Sequence, residues 1–148
     1  MGRLQEIHKQ VHAYAVLWKK ITAIYDAYAK AHGLSYAALH ILYVLHNNPE
    51  GCTQKSICQR VFMPKQTVNS VIKELEAKGS IVCAVMEGDR RNKIVRLTDG
   101  GIKYASEIIM PIYEHEFHAM EQLAPEQREA LLNSTERYAE YFSALTDG

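Results

Sequence analysis

The chain has 148 residues, 47% of them hydrophobic, with 17 Lys/Arg balanced by 17 Asp/Glu. That is enough for one domain with a core, and no run of about 18 or more apolar residues exists to form a membrane-spanning helix. The first residues lack the apolar segment of a signal peptide, so the expectation is a cytoplasmic protein with no membrane partner.

Residues 4–31 are predicted to form one long helix. Leu4, Ile7, Val11, Tyr14, Trp18, Ile21, Tyr25 and Tyr28 recur at alternating three- and four-residue steps, the spacing of a helix-packing seam. Leu17 and Ile24 widen that stripe. Gly33 supplies a stop and Ser35 an N-cap for a second helix over about 36–47. Asn47-Asn48-Pro49-Glu50-Gly51 is a turn.

Thr53 caps a short helix from Gln54 to about Val61. Pro64 is expected in the first turn of the next helix, where a missing N–H costs nothing, and that helix runs from Lys65 to Ala77 and ends at Gly79. Helix, short turn and helix with a polar second member make the helix-turn-helix pattern. Ile81 to Glu87 and Lys93 to Leu97 alternate about a Gly88-Asp89 turn signal, predicting a β-hairpin. Thr98-Asp99 caps a helix over about 100–123, in which Pro111 is expected to introduce a bend. Pro125 opens a last helix carrying Leu131, Tyr138, Phe142 and Leu145 at helical spacing. The predicted order is α-α-α-α-β-β-α-α, mainly helical with a small β-hairpin wing.

The neutral total conceals a segregation of charge. Residues 1–50 hold 5 cations and 3 anions, residues 51–98 hold 9 and 4, and residues 99–148 hold 3 and 10. The positive field therefore coincides with the helix-turn-helix and hairpin, which is where it matters for a polyanionic partner.

Within the 65–77 helix, Val68, Val71, Ile72 and Leu75 share one face. Lys65, Gln66, Asn69, Ser70 and Lys73 are expected opposite it, with Thr67 at the edge. Amides pair bidentately with adenine, Lys reaches guanine edges and a Thr methyl touches thymine, while an ordinary solvated helix face mixes Glu with Lys. At the hairpin tip stand Asp89, Arg90, Arg91, Asn92 and Lys93. Arginine suits the narrow, electronegative minor groove, and Asp89 is expected to brace a guanidinium. Gln54, Lys55 and Pro64 complete the expected DNA-contacting set, the first two donating to phosphate from a helix start.

At these residues the chain resembles the MarR family of bacterial transcription regulators. The similarity is carried by Met63-Pro64-Lys65-Gln66-Thr67-Val68, Leu75-Glu76-Ala77-Lys78-Gly79, Gly88-Asp89-Arg90-Arg91 and Val95-Arg96-Leu97-Thr98-Asp99-Gly100-Gly101. The chain departs from the family's usual Leu-Ala pair at Ile57-Cys58, and Cys83 stands where a basic or polar residue is common. The resemblance implies one domain over 1–148, with a winged helix-turn-helix part at 34–98 and a dimerisation part at 1–33 and 99–148. It further implies a homodimer on a pseudo-palindromic double-stranded operator, with repression as the family's commoner mode and a small effector, metal or oxidant as the modulator.

Two effector sites are expected as alternatives. Tyr14, Trp18, Tyr36, His40 and Tyr43 would line a pocket for a small aromatic anion, unless the stripe is simply core. His115 and His118, with Glu114 and Glu121, would hold zinc if another helix added a ligand, unless they form a polar rim. His8 and His12 make a second i, i+4 pair. No cofactor is expected. Catalysis is disfavoured because no motif frames Cys52, Cys58 or Cys83 with a base, and neither a phosphate-cradling Gly loop nor HExxH occurs. The odd cysteine count without a CxxC pair argues for reduced thiols rather than a disulfide framework.

Overall fold

The computed structural model describes residues 2–86 and 88–146, apart from the side chains of 86 and 89–92. The elements are α1 (Arg3–Ala31), α2 (Tyr36–His46), β1 (Cys52–Thr53), α3 (Gln54–Val61), α4 (Lys65–Ala77), β2 (Ile81–Met86), β3 (Asp89–Leu97), α5 (Asp99–Glu121) and α6 (Pro125–Thr146). They belong to two compact units, residues 1–109 and 110–148.

In the first unit the core gathers Leu39, Ile41, Leu42 and Leu45 of α2, Ile57 of α3, Val68, Val71, Ile72 and Leu75 of α4, and Val95 of β3. All of them are buried. Ala105, Ile108 and Ile109 of α5 close it. The Tyr28 hydroxyl donates to the Ile108 carbonyl at 2.6 Å, tying α1 to α5, and burial raises its pKa.

Local chemistry sets the helix ends. The Ser35 and Thr53 hydroxyls accept from the Ala38 and Ser56 amides, each at 3.1 Å, satisfying donors that the first turn leaves open. Gly33 (φ 70°) and Gly79 (φ 74°) end α1 and α4 in the left-handed conformation. There Leu34 N–H reaches Ala29 O at 2.9 Å and Ser80 N–H reaches Leu75 O at 3.0 Å, the paired closure that a glycine stop permits. At the start of α6, Gln127 Oε1 accepts from the Ala124 amide at 2.8 Å.

Three expectations need correction. The sheet has three strands in the order β1-β3-β2, all antiparallel, because Cys52 and Thr53 pair with Val95 and Ile94. A two-residue strand directly before a helix cap carries no period and is invisible to pattern. Pro64 occupies the N-cap of α4 rather than its first turn, with φ −59° and ψ 147°. Its carbonyl accepts from Val68 N at 3.1 Å; a residue without N–H suits that place equally well. Finally, β3 starts at Asp89 rather than Lys93. Val85 pairs with Lys93 while the next residue, Met86, pairs with Asp89, so residues 90–92 fall in a register irregularity. Such a bulge keeps the strand running while re-aiming what it carries.

Candidate nucleic-acid interface

The polar side of α4 is the most distinctive surface of the first unit. Its four apolar residues are sealed into the core, Val68 and Leu75 at 0% and 1% exposure. Lys65, Gln66, Thr67, Ser70 and Lys73 are exposed and Asn69 is half-buried. A 3.6-residue repeat separates the two sets, so burying one displays the other.

The exposed set divides in two. Gln66, Thr67 and Ser70 line an open groove of ≈ 600 Å³, whose other wall is Ser35 and Ala37 from the first turn of α2. Pro64, Val71 and Glu74 also line it. Asn69 and Lys73 are not among its lining residues. Sequence reasoning missed Ser35 and Ala37 as neighbours, having assigned Ser35 only a capping role. It also left Glu74 outside the surface. That carboxylate is held by Lys78, Nζ to Oε1 3.1 Å, and the second acid of α4, Glu76, is exposed one turn beyond Lys73.

Gln54 and Lys55 stand in the first turn of α3, Lys55 exposed and Gln54 half-buried, with no acidic residue in that turn. The turn to α4 passes through Phe62, which takes the left-handed conformation (φ 53°) and is 92% exposed. At the wing, Gly88 (φ 83°) lies in the tight connection between β2 and β3, and Lys93 is exposed. The side chains of Asp89, Arg90, Arg91 and Asn92 lie outside the described residues, and so does the expected Asp89 brace.

Away from this face, the expected aromatic pocket is only partly assembled. Trp18 and Tyr36 line a depression of ≈ 380 Å³ together with Lys19, Thr22, Ala23 and Asp26. Tyr14, His40 and Tyr43 are not part of its lining. Tyr14 packs edge-on against Trp18 at 6.2 Å. The His40 ring lies between Tyr25 and Tyr36, at centroid distances of 5.1 and 4.3 Å, and Tyr43 packs against the core. The stripe thus serves largely as packing. Asp26 is paired with Lys30 at 2.8 Å, leaving Lys19 as the cation of the depression.

The zinc alternative gains no support within one chain. Among the described residues, no three His, Cys, Asp or Glu side chains converge to hold a metal. His118 Nδ1 meets Glu121 Oε2 at 3.3 Å, both exposed. The thiols are free, Cys52 buried and Cys58 and Cys83 half-buried. Burial pushes the Cys83 thiol up to about 11, aided by its hydrogen bond to Glu76, against a smaller opposing effect of Lys93.

Comparison with known proteins places these features in a lineage. The MarR family model matches residues 32–91. Among curated relatives, the chain is 29% identical over 126 residues to the HTH-type transcriptional regulator SarZ of Staphylococcus aureus, covering 83% of this chain and 84% of that one. It is 28% identical over 118 residues to the regulator Hpr of Shouchella clausii, covering 80% and 60%. With SarZ of Staphylococcus haemolyticus it shares 32% over 84 residues, 57% and 56%. The match therefore spans less than two thirds of the length of these last two relatives. Among solved structures, a MarR family regulator from Neisseria meningitidis superposes with a TM-score of 0.75 at 24% identity, over 99% and 98% of the two chains. The Staphylococcus aureus MepR–DNA complex does so at 0.76 and 22% identity, over 90% and 97%. The fold is common to this chain and these two solved structures.

Proposed function

We propose that the chain, whose residues 32–91 match the MarR family model, is a winged helix-turn-helix transcription regulator of that family and binds double-stranded DNA as a homodimer. In this proposal α4 enters the major groove, the hairpin tip reaches the minor groove, and binding represses transcription. The observation that carries it is the exposed face of α4, which offers amides, hydroxyls and lysines and keeps its two carboxylates, Glu74 and Glu76, to the C-terminal half of the helix, Glu74 paired with Lys78.

The roles divide by chemistry. Gln66, Thr67, Asn69 and Ser70 face base edges, where bidentate amide contacts discriminate. Lys55, Lys65 and Lys73 neutralise phosphate, and the capped start of α3 adds amide donors there. Arg90, Arg91 and Lys93 at the wing supply the minor-groove cations, steadied by Asp89. MepR has been solved bound to DNA, and the shared fold supports the same docking here.

The homodimer rests on α1 and α6. Leu4, Val16, Leu17, Ile24 and Trp18 on α1 are each at least half exposed, as are Leu132, Tyr141, Phe142 and Leu145 on α6. Apolar residues displayed at this density require a partner surface, and a two-fold copy supplies an identical one. Two-fold symmetry then sets the α4 helices in successive major grooves, about 34 Å apart. A second proposal concerns control. The depression at Trp18, Lys19 and Tyr36 admits a small aromatic anion, its ring on the indole and phenol and its charge on Lys19.

Fluorescence anisotropy on a duplex selected from a random pool tests the DNA proposal. Arg91→Ala should weaken binding and lower the slope of log K against log salt by roughly 0.9 for each phosphate no longer neutralised. Asn69→Ala should lower discrimination at one base pair by about 1–3 kcal/mol. Unchanged affinity and salt slope in Arg91→Ala would remove the wing from the interface.

A further inference from the structure

One hydroxyl joins the end of α4 to the start of α5. Thr98 Oγ1 donates to the Gly79 carbonyl at 2.7 Å and accepts from the Gly101 amide at 3.0 Å. The Thr98 amide donates to the Ser80 carbonyl at 3.0 Å. Gly79 and Ser80 form the left-handed turn that closes α4, whereas Thr98 immediately precedes α5. A single side chain thus satisfies an orphan carbonyl beyond one helix and an orphan amide of the next.

Packing tightens the same joint. A Cβ on Gly101 would lie 1.8 Å from Ser80 O and 2.8 Å from Ser80 C, so the first turn of α5 rests directly on the Ser80 peptide. Beside it Ile81 pairs with Leu97, both buried. Nothing in this cluster can yield without breaking a hydrogen bond or opening the core. The base of the wing and the two helix ends are consequently one piece.

We infer that Thr98 and Gly101 are positioning residues for operator choice. They fix α4 relative to α5, and in a dimer this sets the half-site spacing that both α4 helices accept together. The inference rests on the homodimeric DNA-binding function proposed above. Adding one base pair between half-sites moves the second by about 3.4 Å along the duplex and about 35° around it. A stiff joint cannot follow that displacement; a loosened joint can.

The test uses full-length protein and a duplex selected by the wild type from a random pool, with one base pair then inserted or deleted between the half-sites. The wild type should lose about tenfold or more in affinity on both altered spacings. Thr98→Val, which deletes the hydroxyl and keeps the volume, should bind the selected duplex within about threefold of wild type and lose under about threefold on the altered ones. Thr98→Ser should restore the wild-type pattern. Gly101→Ala, which pushes α5 off Ser80, should shift the preferred spacing.

An equal loss on all three duplexes for a folded Thr98→Val, or a wild-type ranking, overturns the inference. Should that variant not fold by circular dichroism, Thr98→Ala, which removes the same hydroxyl without adding bulk, decides, and a wild-type spacing ranking in it overturns the inference as well. A wild type that sediments as a monomer, or binds an isolated half-site as tightly as the whole, defeats the dimer proposal and the inference together. A spacing-sensitive wild type with spacing-sensitive variants defeats the joint alone.

Discussion

Helices α4 and α1 are both amphipathic, yet they dispose of their apolar faces in opposite ways. On α4, Val68, Val71, Ile72 and Leu75 are sealed within the first unit. On the 29-residue α1, Ala29 is the one residue buried among those described, while Trp18, Ile21 and Ile24 stay about half exposed. Helix α6 resembles α1, with no buried residue among those described. A helix whose apolar face is already covered has its polar face free to bind. A helix whose apolar face is open still has a packing interaction to make. The contrast supports the proposed roles, recognition for α4 and assembly for α1 and α6, without reference to any relative.

The largest expected effect comes from breaking the assembly side. Ile24→Glu places a charge on the open face of α1, at a residue that is 58% exposed and not among the buried core. Sedimentation should show a dimer for the wild type and a monomer for the variant, and the wild-type Tm should rise with protein concentration while the variant's stays flat. Affinity for a two-half-site duplex should drop by about a hundredfold or more once the second half-site is no longer engaged through the same molecule. A dimeric Ile24→Glu that binds normally would reverse the assignment of α1.

The next effect sharpens the contrast within the first unit. Leu42, fully buried on α2, should cost about 2–5 kcal/mol of unfolding free energy when cut to Ala. Gln66→Ala, on the exposed side of α4, should stay within about 0.5 kcal/mol in stability and instead weaken DNA binding. Denaturant melts paired with anisotropy read both quantities. If Gln66→Ala destabilised the fold and left binding intact, α4 would be a structural helix only.

Much of this division was legible before the structure. The helical period separates Val68, Val71, Ile72 and Leu75 from Gln66, Ser70 and Lys73 whatever the tertiary context. The Ser35 and Thr53 caps carry their chemistry in the residue itself. What was hidden depends on neighbours distant in sequence. Cys52–Thr53 becomes a strand only because β3 offers it a partner. Ser35 and Ala37 face Gln66 and Thr67 only because α2 packs beside α4. The extent of the aromatic pocket was hidden for a related reason. Tyr36, His40 and Tyr43 follow a helical stripe, but a stripe does not say whether its rings meet a ligand or one another. Here His40 meets Tyr25 and Tyr36.

The smallest expected effect concerns the thiols, where the wing stem meets α4. Cys83, on β2, is half-buried and hydrogen-bonds Glu76 near the end of α4, and burial first, then that carboxylate, raises its pKa to about 11. A thiolate is the nucleophile, so at neutral pH Cys83 should react with iodoacetamide far more slowly than a free thiol. Glu76→Gln removes the negative charge and should accelerate that reaction, read by mass spectrometry of the 83-containing peptide. The stability consequence has a definite sign. A pKa raised in the fold means that the folded state keeps a proton the unfolded chain has lost, so the contribution is fully present below the ordinary thiol value of 9.0 and disappears as pH climbs through about 11. Chemical melts of wild type and Cys83→Ala should therefore converge across that window and remain parallel below it. Parallel curves throughout would mean that Cys83 sits in a wetter, less acidic setting than its place between β2 and α4 implies.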